Sequence, residues 1–126
     1  MTKEQLNIFR KAFRKATHCS IPNRFDLNKI NEIEFYKDGM RNGYKYRFSF
    51  INDSNGYSLK YYMETDDYSY HAIINCKGDI NVLKSQGIEK EELYKELLDK
   101  GLICNYDNPA FEKKNVVRRV NYWGSL

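Results

Sequence analysis

Residues 44–65 read YKYRFSFINDSNGYSLKYYMET, two runs of alternating residues around a turn signal. In the first run Tyr44, Tyr46, Phe48 and Phe50 fall on one side and Lys45, Arg47 and Ser49 on the other. In the second, Tyr57, Leu59, Tyr61 and Met63 alternate with Lys60 and Tyr62. Side chains of a strand point alternately to opposite faces, so a period of two marks a half-buried strand. Asp53-Ser54-Asn55-Gly56 supplies residues that tolerate a positive φ, which predicts a hairpin turn between the runs.

The pattern extends in both directions. NEIEFYKD (31–38) predicts a strand before it, joined through Gly39-Met40-Arg41-Asn42-Gly43. YSYHAIIN (68–75) predicts one after it, joined through Asp66-Asp67. Short loops between consecutive strands force antiparallel neighbours, so the expectation is a four-stranded meander. One face would hold Ile33, Phe35, Tyr44, Tyr46, Phe48, Phe50, Tyr57, Leu59, Tyr61, Met63, Tyr68, Tyr70, Ala72 and Ile74. The other would hold Glu34, Tyr36, Lys45, Arg47, Ser49, Lys60, Tyr62 and His71, with Ile51 and Ile73 toward one end.

Helices flank this meander. Thr2-Lys3-Glu4-Gln5 is a capping box, and Leu6, Phe9, Phe13 and Ala16 form an apolar stripe that predicts a helix to about residue 17. Lys3, Arg10, Lys11, Arg14 and Lys15 lie on its opposite arc, and Pro22 closes the element. Residues 79–86 read as a short helix closed by Gly87. A second helix spans 89–100, with Glu89, Glu91 and Glu92 in its first turn, a Leu93–Leu97–Leu98 stripe beside Tyr94, and Gly101 as its stop. Leu102–Tyr106 and Val116–Trp123 are short strand candidates. The predicted fold is α+β, a single domain over 1–126, with helices on one face of an antiparallel sheet.

Composition narrows the function classes. At 41% hydrophobic and 30% charged residues the chain reads as globular. No apolar run is long enough to span a bilayer, and the N-terminus has no signal-peptide core. Three cysteines, odd in number and far apart, predict reduced thiols and a cytoplasmic setting. The net charge of +4 is uneven: both ends are basic and the late middle is acidic. No cofactor-binding glycine loop and no metal-ligand spacing occur, so neither a cofactor nor a metal is expected.

Two basic regions are candidate binding surfaces. Tyr36, Lys45, Arg47, Lys60, Tyr62 and His71 share a sheet face, where rings stack on bases and cations hold phosphates in single-strand binders. The plain alternative is a solvated face, and Glu34 and Glu64 on it oppose phosphate. Arg10, Lys11, Arg14 and Lys15 form the second region, which the C-terminal Arg118 and Arg119 would extend if the termini lie together. Catalysis has thin support. His71 beside Arg47 or Lys45, with Glu34 across the sheet, is the only acid–base grouping, and it would make a metal-independent ribonuclease.

With its eleven Tyr, seven Phe, odd cysteines and a composition rich in Lys, Asn, Ile and Tyr, the chain resembles in style the small phage- or mobile-element-encoded inhibitors of bacterial defence, of the anti-CRISPR kind. The resemblance covers the whole length and rests on no motif, so no residue is carried over from it. It implies a non-catalytic protein that inhibits a nucleic-acid-handling complex, such as a nuclease complex, by protein contact. Many such inhibitors are acidic mimics of nucleic acid, and a net charge of +4 points away from mimicry. The expectation is therefore a binding protein with a protein partner and no membrane association. Direct binding of RNA or single-stranded DNA is the alternative.

Overall fold

The computed structural model describes residues 1–21, 35–41 and 43–105. It contains α1 (Lys3–Thr17), β1 (Phe35–Arg41), β2 (Tyr44–Asp53), β3 (Gly56–Glu64), β4 (Ser69–Ile74), β5 (Ile80–Gln86) and α2 (Lys90–Asp99). The α+β class follows directly. The sheet is an antiparallel meander in the order β1-β2-β3-β4-β5, one strand longer than the sequence pattern predicts. Among the described residues no helix is long and apolar enough to cross a membrane.

Alternation sorts the strands as expected. Phe48, Phe50, Leu59, Tyr61, Met63, Tyr70, Ala72 and Ile74 are buried, and Tyr44, Tyr46, Tyr57 and Tyr68 pack partly buried against them. The α1 stripe lies on this face. Phe13 meets Tyr46, Phe48 and Tyr61 with ring centroids 5.6, 5.7 and 5.3 Å away, and Phe9 sits 5.8 Å from Phe50. Tilted and edge-on rings at these distances add quadrupole attraction to the area they bury. Leu93, Tyr94, Leu97 and Leu98 of α2 complete the same cluster.

The capping box forms as read: the Gln5 amide donates to Thr2 Oγ1 at 3.1 Å, and the Thr2 amide donates to Gln5 Oε1 at 2.8 Å. At the other end of α1, His18 adopts the left-handed conformation, and Lys100 Nζ donates to the Ala16 carbonyl at 3.1 Å. The lysine satisfies an orphan helix-end carbonyl and ties α2 to α1.

Three sequence expectations need correction. Residues 80–86 form a strand, because Asn75 folds the chain back onto β4. Its side-chain oxygen accepts the Lys77 and Asp79 amides at 2.9 and 3.0 Å. Ile80 and Val82 then bury beside Ile74 and Ala72, as β-branched residues do on a pleated surface. β1 ends later than expected: Gly39 lies within the strand opposite Tyr46, Arg41 pairs with Tyr44, and Gly43 before β2 has φ 82°. The strand expected over 102–106 reduces to a parallel bridge between Ile80 and Cys104. The expected strand 116–123 lies outside the described residues.

Candidate functional site

The open side of the sheet is built by register. Arg47 pairs with Tyr62, Tyr62 with His71, and His71 with Lys84, so one row crosses β2, β3, β4 and β5. At about 4.8 Å per strand the row from Arg47 to Lys84 spans about 14 Å. Register puts Asp38 at its β1 end. A second row runs through Ser49, Lys60, Ile73 and Asn81, and a third through Lys45, Glu64, Ser69 and Gln86.

Lys84 enters the central row through a bulge. Ala72 pairs with Val82 and His71 with Lys84, which leaves Leu83 as the extra residue. One added residue restores Lys84 to the open face and exposes Leu83 at 42%. The sequence reading missed Lys84, since a helix over 79–86 would have sent it elsewhere. The available signal was the Ile80–Asn81–Val82 alternation, which the bulge interrupts after one period.

The centre of the row is a ring pair. Tyr62 and His71 have centroids 4.7 Å apart and planes tilted by 47°. The Tyr62 hydroxyl donates to Glu64 Oε1 at 2.6 Å, and that bond to a carboxylate raises its pKa above the usual value. The pKa of His71 is lowered, first by desolvation and then by the charges of Lys84 and Lys60. Two shallow depressions flank the pair. One is bounded by Arg47, Ser49, Lys60, Tyr62 and His71, the other by Tyr62, Ser69, His71, Lys84 and Gln86. Each offers one or two cations beside a ring.

The structure thus brings together Lys45, Arg47, Lys60, Tyr62 and His71 and adds Lys84. For Tyr36 it gives a backbone place opposite Ser49. Lys11, Arg14 and Lys15 are exposed on α1, and Arg10 is half-buried. Because α1 packs against the buried face of the sheet, these cations form a separate surface. Arg118, Arg119 and Glu34 lie outside the described residues. Among the described residues no group of three or more His, Cys, Asp or Glu is placed to share a metal ion.

No protein-family model, curated protein or solved structure matches the chain.

Proposed function

We propose that this chain is a small non-catalytic binding protein that docks through the open face of its sheet onto an acidic patch of a protein partner. The biological setting that its composition supports is a phage or mobile-element inhibitor of a bacterial nucleic-acid-handling defence complex. The cross-strand row Arg47–Tyr62–His71–Lys84 carries this reading. The row includes an arginine and a tyrosine, two residue types that dominate binding hot spots, and the depressions beside it, each about 240 Å³, are smaller than the usual small-molecule site. On the sheet face His71 stands near the cations Lys84 and Lys60, a setting that suits contact with an anion.

Direct binding of single-stranded nucleic acid is the second reading, favoured by the ring pair with cations on both sides. The carboxylate of Glu64 on the same face, and Asp66 and Asp67 in the adjoining turn, count against it. Tyr62 is moreover tied to Glu64 at its hydroxyl and braced on His71 at its ring, which limits it as a stacking platform.

The double variant Arg47→Glu/Lys84→Glu separates the two. In bacteria with an active defence nuclease, wild-type protein should protect an incoming phage or plasmid, and the variant should not. Labelled single-stranded RNA and DNA titrated against purified protein at about 50 and 200 mM salt should show no binding. Salt-steep binding abolished in the variant would move the assignment to the second reading. Undiminished protection by a folded variant would remove the sheet face from the mechanism.

A further inference from the structure

Of the three exposed large hydrophobic side chains among the described residues, two share one groove: Ile8 at 37% and Ile103 at 38% exposure. The groove runs between α1, the β4–β5 turn and the segment after α2. Its charged lining among the described residues is Lys11, Lys15 and Lys77, with no carboxylate among them. None of these residues belongs to the rows of the open sheet face.

The groove is rigidly floored. Ile80 donates to the Ile103 carbonyl at 2.8 Å and accepts from the Asn105 amide at 2.7 Å, which fixes the segment carrying Ile103. The turn opposite is held by the Asn75 side chain, so Lys77 and Gly78 are set in place. Gly78 sits at φ 88°, and a Cβ there would come within 3.3 Å of Ile8 Cγ2. The glycine therefore keeps the floor open beside Ile8.

The apolar area that Ile8 and Ile103 leave in water costs free energy in proportion to its size, and three lysines in the lining repel a cationic occupant. The charge complement is an acidic segment that also carries apolar residues. We infer that this groove is a second docking site, for an acidic amphipathic peptide segment whose apolar side chains seat on Ile8 and Ile103 and whose carboxylates pair with Lys11, Lys15 and Lys77. Such binding follows the general groove mode, in which apolar anchors give affinity and rim charges give orientation.

The test is a display selection of random short peptides on the immobilised full chain, with counter-selection on Ile8→Ser/Ile103→Ser. Enriched peptides should combine apolar residues with Asp or Glu. Their affinity should fall about tenfold or more in Ile8→Ser/Ile103→Ser and in Lys11→Glu/Lys15→Glu, and stay unchanged in Arg47→Glu/Lys84→Glu. Unaltered circular dichroism and thermal midpoints would show that the variants fold. Enrichment independent of Ile8 and Ile103, peptides without acidic residues, no enrichment at all, or displacement of every selected peptide by a single-stranded oligonucleotide would each overturn the proposal. Concentration-dependent self-association lost in the groove variants would also overturn it, by making a second copy the occupant. A surviving groove with a failed sheet face, or the reverse, is legible because the two variant pairs share no residue.

Discussion

His71 lies between Lys60 and Lys84 on the sheet face, and its depressed pKa has two consequences of opposite use. In the free protein the imidazole resists protonation, so the unfolded chain takes up the proton first. Stability therefore falls as pH drops from about 6.5 through the lower folded value. An anionic partner on the row offsets the lysines and favours the imidazolium, so docking takes up a proton. Affinity should rise as pH falls through that window and flatten in His71→Gln, which calorimetry in two buffers of different ionisation enthalpy would detect. A pH-independent affinity would mean the partner's charge does not reach His71.

The buried hydroxyls of Tyr61 and Tyr70, 2.9 Å apart, make a second residue-scale case. Burial holds both pKa values well above 10, so the stability they protect is present below pH 10 and is lost as pH climbs toward the folded values. Tyr61→Phe or Tyr70→Phe alone removes this bond and should cost about 1–2 kcal/mol. The double variant should cost less than the sum, because no hydroxyl is left without its partner. Chemical denaturation of the three variants checks this; strict additivity would show that the pair is uncoupled.

Among the elements, α1, α2 and β2–β4 were legible because each repeats its signal. α1 places Leu6, Phe9, Phe13 and Ala16 at helical spacing over 15 residues, and β2 runs for 10 residues. β5 was not legible, since its alternation lasts from Ile80 to Val82 before the bulge at Leu83 breaks it. Gly87, read as a helix stop, instead joins β5 to α2. It has φ 80°, and a Cβ there would lie 2.6 Å from the Asp67 carbonyl oxygen. Gly87→Ala should therefore destabilise by about 2 kcal/mol or more, combining left-handed strain with a backbone clash. The clash would loosen the β3–β4 turn, so faster amide exchange around 65–68 is the accompanying readout. An Ala variant as stable as wild type would show that the turn yields without cost.

At the scale of the whole molecule, the sheet separates two basic surfaces. The open face carries Lys45, Arg47, Lys60 and Lys84, while Lys11, Lys15 and Lys77 rim the groove built on α1. Reversing charge on one surface should leave contacts of the other intact, and additive losses in the combined variant would confirm their independence. Local periodicity by itself determined which side of each helix and of β2–β4 is buried, because the period of an element dictates where every side chain points. The alignment of Arg47, Tyr62, His71 and Lys84, and the meeting of Ile8 with Ile103, were decided only by tertiary structure. They depend on strand register, on one inserted residue in β5, and on the closure that brings the segment after α2 to Ile80, none of which leaves a repeating trace in the chain.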